Sequence, residues 1–276
     1  MLTTTLDGLW VLQVLSGIEV LAPELGLRPL LPSTETRRAA LESPVTAELH
    51  AAGAITDGLE VDEPILEWLT VLARRDVALL MYAQSPAHVE AERILLARFD
   101  RWWVALERCG AMVRFGAAGT ATSEKSAARV IEDQIDRLCG TRPPAAIRPV
   151  ILQAQSLLTT ARSGRSLRAF LFAHDLDADQ VDAVSSAADS RLCAQVSIVA
   201  LQSATSATVP RSYIDPAAVT IHDTPRGRLL SEQVSRDGTA WLIIGPGSTA
   251  SIGSAVNNMM RRLPAREDWH SHRKAV

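Results

Sequence analysis

The stretch of this chain whose residue types look most like chemistry is Gly245-Pro246-Gly247-Ser248-Thr249-Ala250-Ser251-Ile252-Gly253, set between a strand pattern and a helix pattern. Phosphate sites use that layout, because glycines let the backbone approach an anion and the first N–H groups of a helix attract it. A Walker loop also needs Lys beside its Ser or Thr, and none stands here. A dinucleotide fingerprint needs a parallel strand–helix–strand unit and a later acidic residue. The plainer reading is a glycine turn followed by a helix cap at Ser248. His270-Ser271-His272 holds two imidazoles at strand-edge spacing for a metal, but no third ligand is evident, and it reads as a solvated tail. His222-Asp223 is a candidate for half of an acid–base pair. No Ser lies in a G-x-S-x-G elbow, so His222 reads as a sheet residue and Asp223 as a turn former. Trp102-Trp103 offers a stacking platform, although one of two neighbours in a strand must face the core. Arg37-Arg38 reads as a solvated helix face. Nucleophile, base and orienter never come together, so the residues favour a binding protein over an enzyme and imply no cofactor and no metal.

Composition narrows the classes further. The chain has 276 residues, 47% hydrophobic, and its 28 basic and 31 acidic residues leave a net charge of -3. That balance argues against binding nucleic acid through bulk positive charge. Cys109, Cys139 and Cys193 are odd in number and far apart, which argues against a secreted disulfide framework. The start Met1-Leu2-Thr3-Thr4-Thr5-Leu6-Asp7 lacks the basic and apolar regions of a signal peptide. No run of ~18 uncharged apolar residues implies direct membrane insertion. The expected location is the cytoplasm. Lys125 and Lys274 are the only lysines among many arginines, the pattern of a GC-rich bacterial genome.

The elements that must position these residues alternate in texture. Residues 2–6 read as a strand, followed by a helix opened by Asp7 and stopped by Gly17. Residues 18–32 read as loop, and Ser33 caps a helix over 34–51 ended by Gly53. Asp62 caps the next, with Pro64 early and an apolar arc through Ile65, Leu69 and Leu72. Val77 to Ala83 reads as a buried strand, Gln84 to Arg93 as a loop, and Ile94 to Arg108 as one long strand. A strand at 112–115, a loop at 116–119 and a helix capped by Thr120 or Ser123 complete the first half. In the second half a strand at 148–152 precedes helices near 154–162, 165–174 and 178–188. Strands follow at 194–201, 219–222, 228–234 and 241–244, with a hairpin at Asp223-Thr224-Pro225-Arg226-Gly227 and a final helix from Ser248 to Leu263.

The halves, about 1–142 and 143–276, read as an old duplication within a single domain. Gly110 matches Gly238, Thr120 matches Ser248, Ser123 matches Ser251, Ala127 matches Ala255 and Ile131 matches Met259. The connections between strands are too short for parallel crossovers. The expected fold is α+β, a central antiparallel β-sheet with flanking helical bundles and two similar halves in a pseudo-two-fold arrangement.

Leu2-Thr3-Thr4-Thr5-Leu6-Asp7-Gly8-Leu9-Trp10-Val11-Leu12-Gln13 resembles the opening of EspG proteins, the secretion-associated chaperones of mycobacterial type VII (ESX) systems. Residues 23–32, Glu67-Trp68-Leu69-Thr70-Val71-Leu72, Arg101-Trp102-Trp103-Val104, Ile221 to Arg228, Gly245-Pro246-Gly247-Ser248 and Arg262-Leu263-Pro264 continue the resemblance in order across the chain. Its detail is most like the paralogue of the second ESX system. The resemblance implies a non-enzymatic cytosolic chaperone that binds one PE–PPE heterodimer in a 1:1:1 complex at the apolar tip of the PPE protein, keeps it soluble and delivers it for secretion, and that can form a homodimer when free. It implies contacts from the loop between the second and third strands, here Gln84, Ser85, Ala87, His88, Val89, Glu90, Glu92 and Arg93, and from helices within about 157–190. Covering an exposed apolar tip removes it from water at roughly 25 cal/mol per Å² before the costs of association, and charges such as Glu90, Glu92 and Arg93 at the rim would set partner choice. Two other classes stay open: a nucleotide- or anion-binding enzyme using Gly245–Gly253, and a structural subunit of the secretion apparatus.

Overall fold

The computed structural model describes residues 1–88, 90–162, 166–203 and 212–273. The first half runs β1 (Leu2–Thr5), α1 (Leu6–Ser16), α2 (Arg37–Leu41), α3 (Val45–Ala51), α4 (Glu63–Arg74), β2 (Val77–Gln84), β3 (Glu92–Phe99), β4 (Trp102–Cys109), β5 (Met112–Thr120) and α5 (Glu124–Cys139). The second runs β6 (Val150–Gln153), α6 (Ala154–Arg162), α7 (Leu167–Phe172), α8 (Ala178–Ala188), β7 (Ala194–Gln202), β8 (Tyr213–Ile214), β9 (Val219–Thr224), β10 (Gly227–Arg236), β11 (Thr239–Pro246) and α9 (Thr249–Arg261). Single 3₁₀ turns lie at Pro23–Leu25 and Arg266–His270.

All described strands join one antiparallel sheet in the order β1-β5-β4-β3-β2-β7-β9-β10-β11-β6, with β8 beside the end of β7. The α+β reading with a central antiparallel sheet therefore holds. Outward from the seam between β2 and β7, the strands on each side follow in the same sequence, and each side ends on the strand that opens its half. The seam pairs every residue of β2, from Val77↔Gln202 to Gln84↔Gln195.

Strand alternation sends apolar side chains to both faces. Val196, Ile198 and Ala200 of β7 join the core under α5 and α9, while Leu201 joins the core under α1, α3 and α4 on the opposite face. A third core lies between β6, β10, β11 and the helices α7 and α8. Ser123 caps α5 and Ser248 caps α9, each accepting the N–H three residues on. With the caps aligned, Ala127, Val130, Ile131 and Ile135 fall opposite Ile252, Ala255, Val256 and Met260, and all eight are buried. This alignment replaces the pairing of Ser123 with Ser251 and of Ala127 with Ala255.

Several local expectations change. The helix expected over 34–51 is two helices, capped at Thr36 and broken at Ser43-Pro44, because Pro lacks the N–H and crowds the residue before it. Thr5, not Asp7, caps α1 through Gly8 N–H at 3.1 Å. The long strand expected over 94–108 is the β3–β4 hairpin, turned at Asp100-Arg101 with Asp100 at φ 57°. Residues 116–119, expected as loop, continue β5 past an irregularity opposite Trp103 and Val104. The loop after β2 is correspondingly shorter than expected: Gln84 ends β2, and Glu92 and Arg93 begin β3.

Candidate partner-binding site

Residues 85–91 join β2 to β3. Ser85 closes a tight turn, its hydroxyl accepting from Ala87 N–H at 3.3 Å and its carbonyl from His88 N–H at 3.1 Å. Beneath the turn is a cavity of about 280 Å³ where the ends of β2, β7 and β9 meet the last turn of α5. Gln84, Ser85, His88, Glu90 and Glu92 line it, opposite Cys139 and Asp223. The structure thus gathers five of the eight expected contact residues around one hollow. Ala87 is exposed on the outside of the turn. Arg93 lies beside Gly26 on the opposite face, with Arg108 close by. Val89 lies outside the described residues.

Asp223 and Arg228 form the wall of the hollow. Arg228 is buried and binds Asp223 through two nitrogens, at 2.6 and 2.9 Å. The same guanidinium donates to the carbonyls of Cys139 and Gly140, at 2.8 and 3.0 Å, and so closes the C-terminus of α5. Asp223 is an ion-pair anchor inside β9, and the turn-forming role expected of it belongs to Thr224. The Thr224 hydroxyl accepts from Arg226 N–H and donates to the Gly227 carbonyl. A buried arginine in a sheet is a signal that sequence reading missed; its trace is the basic residue that opens an otherwise apolar run, Arg228-Leu229-Leu230.

Two thiols and one imidazole near this end of the sheet are shifted by burial. Burial pushes the Cys139 and Cys193 thiols up to about 11, so neither is a thiolate at neutral pH. Burial lowers His222 to about 4, and its Nε2 lies 2.9 Å from Ser231 Oγ. The His222–Ser231 contact is a neutral bond across the β9–β10 pair.

A second surface flanks the sheet on the other face. A cleft of about 710 Å³ runs between α6 and α7, lined by Gln155, Thr159, Ala169, Phe170 and His174. Leu158 and Phe172 are half exposed, at 50% and 52%. Asp182 of α8 accepts from Arg168 of α7 at 2.7 Å and from Arg226 at 2.8 Å, tying this bundle to the β9–β10 turn. These two arginines hold the Asp182 carboxyl below the usual carboxylate range, Arg168 more strongly.

The other motifs are absorbed by the fold. Gly247 gives close approach, not an anion cradle: a Cβ there would sit 2.9 Å from the Leu229 carbonyl carbon. The Ser251 hydroxyl bonds the Pro246 carbonyl at 2.8 Å, and its N–H is taken by Ser248. The expected solvated tail around His270 and His272 is packed, for Trp269 is fully buried and Arg98 donates to both histidine carbonyls. Among the described residues no group of three or more His, Cys, Asp or Glu is placed to hold a metal. Trp103 is buried and Trp102 exposed beneath Arg101, as alternation requires. Arg37 and Arg38 pair with Glu60 and Glu42 on the surface.

A family model described as EspG family matches residues 5–258. The chain belongs to the EspG family. It is similar to the ESX-2 secretion-associated protein EspG2 of Mycobacterium tuberculosis strain H37Rv, 44% identical with both chains covered in full. It is also similar to the ESX-5 secretion-associated protein EspG5 of Mycobacterium marinum, 28% identical over 98% of this chain and 96% of that one. Among solved structures, the M. tuberculosis type VII secretion system chaperone EspG5, in complex with a PE25–PPE41 dimer, superposes with a TM-score of 0.76. That match covers 98% of this chain and 99% of the other at 24% identity. The two chains thus share their fold over nearly their whole lengths.

Proposed function

We propose that this chain is a non-enzymatic chaperone that binds a PE–PPE heterodimer in the cytoplasm and holds it for an ESX secretion system. The observation that carries this reading is the 44% identity over full length to an ESX-2 secretion-associated EspG. It is supported by the shared fold with an EspG solved together with a PE–PPE dimer. Among the described residues no helix is long and apolar enough to cross a membrane.

The surface proposed for binding joins the β2–β3 turn to the α6–α8 bundle. Half-exposed Leu158 and Phe172 offer apolar area to a partner's apolar tip, and charged groups around the turn set which partner fits. The matching strand order, caps and buried helix rows support reading the single domain as two duplicated halves, about 1–142 and 143–276. Complex formation as one chaperone, one PE and one PPE, and pairing of free copies, belong to the same reading.

Co-expression with PE–PPE pairs, followed by affinity capture and size-exclusion chromatography, tests it. One pair is expected to elute with the chain as a soluble 1:1:1 complex, and Phe172→Asp on the exposed helix face to weaken capture by about tenfold or more. If no pair is captured while EspG5 captures PE25–PPE41 in parallel, the reading is wrong.

A further inference from the structure

The face of the sheet covered by α5 and α9 has two ends, and the chain finishes them differently. At one end, the chain leaving α9 turns back beneath the sheet. Ala265 N–H donates to Gln202 Oε1 at 2.9 Å, and Trp269 is fully buried. Arg98, 1% exposed, donates to the carbonyls of His270 and His272, the latter at 2.5 Å. At the other end, the chain leaving α5 is drawn away. Arg228 holds the Cys139 and Gly140 carbonyls, and its own N–H donates to the Pro143 carbonyl at 2.8 Å. What remains there is the cavity of about 280 Å³ under the β2–β3 turn.

Strand register brings the two floors into correspondence. Arg98 pairs across from Val77, the first residue of β2 in the α5/α9 core. Ile221 pairs across from Val196, the first residue of β7 in that core. The closed end therefore has a cationic floor, matched to the carbonyls it holds. The open end has an apolar floor of Ala83, Val196 and Ile221 and an anionic rim. Glu90 and Glu92 form no salt bridge among the described residues; Glu90 meets the Cys109 thiol at 3.9 Å. Asp223 is already satisfied by Arg228. The carboxylates left for a visitor are thus those of Glu90 and Glu92.

We propose that this cavity receives a surface segment of the partner carrying an arginine or lysine, its aliphatic stem on Ala83, Val196 and Ile221 and its cation at Glu90 and Glu92. The partner completes the open end as the chain's own tail completes the closed one. A long basic side chain suits the lining, because its stem packs on apolar surface while its head bonds to carboxylates. The identity of the segment's owner rests on the chaperone reading; the cationic site does not.

The test is an amide NMR titration of the full chain with N-acetyl-arginine amide, run in parallel with N-acetyl-glutamate amide. The resonances of Ala194, Val196 and Asp223 are expected to move with the arginine probe and to stay with the glutamate probe. In Glu90→Gln/Glu92→Gln the apparent affinity for the arginine probe should fall about tenfold, as loss of two partly exposed charge pairs predicts. No response in the wild type, or an equal response in the double variant, overturns the site. Capture of PE–PPE pairs is scored separately on the same proteins. A wild type that captures a pair but ignores the arginine probe refutes the cavity and leaves the chaperone reading intact. A chain that answers the probe but captures no pair supports the cavity and refutes the chaperone reading.

Discussion

In the β4–β5 hairpin, Glu107 sits opposite Arg114, two places in from the turn; in the β10–β11 hairpin, Val234 sits opposite Trp241 at the same depth. Glu107 is buried and clamped by Arg114 and by Arg137 of α5. Val234 and Trp241 are half buried, beside an Ile151 that is 63% exposed. The caps and four inward positions of α5 and α9 nonetheless match, while Met259 of α9 has no buried counterpart in α5. The halves therefore agree along the α5 and α9 rows, and diverge on rims, at helix ends and under the helices of the other face. Packing fixes volume at every buried position, so the interior tolerates little change, whereas the rim is free to become a polar clamp, an apolar patch, a closed end or an open one.

Three perturbations bear on that contrast. Trp269→Ala should destabilise the chain most, by about 3–5 kcal/mol, since it empties a fully buried site at the closed end. Urea denaturation reads this directly; a loss below about 1 kcal/mol would mean that the tail is no part of the fold's closure.

Next in size is a pH effect. His222 has a folded pKa of about 4 against an ordinary 6.5. Between those values the unfolded chain takes up a proton that the folded chain refuses. Its contribution is therefore complete above about pH 6.5 and declines as pH falls toward 4. Stability should drop by about 2 kcal/mol from pH 7.5 to 5 through this group. His222→Gln should remove that part of the slope, and an unchanged slope would show that another group titrates.

The smallest effect sharpens the comparison best. Ser123→Ala and Ser248→Ala should each cost about 1 kcal/mol, and by nearly equal amounts, because the two caps make the same bond. A large inequality in chemical-denaturation midpoints would show that the helices are not anchored alike.

The strands with alternating or continuous apolar runs were legible from sequence, as were the Gly17 stop, the 219–234 hairpin and the final helix. Asp100-Arg101 was not, because its turn uses Asp at positive φ in place of Gly, Asn or Pro, and the flanking runs read as one strand. The break at Ser43-Pro44 was not legible either, because the apolar spacing continues across it. The β2–β3 turn was legible as polar residues between two strands. The hollow beneath it was not, since Cys139, Ala194 and Asp223 come from segments distant in sequence. The burial of Arg98 and Arg228 was not legible, because an arginine in a strand reads as surface and their burial follows from carbonyls brought in by α5 and the tail.

The seam between β2 and β7 has a consequence for how the chain is made. β2 gains its inner neighbour only when Ala194–Gln202 has been synthesised. At 5–20 residues per second, that leaves β2 with an unpaired edge for roughly ten seconds on the ribosome. The apolar run Val77-Ala78-Leu79-Leu80-Met81 thus presents an open edge to misassociation during synthesis. A protein whose proposed task is to cover the apolar surface of others begins its own life in need of the same service.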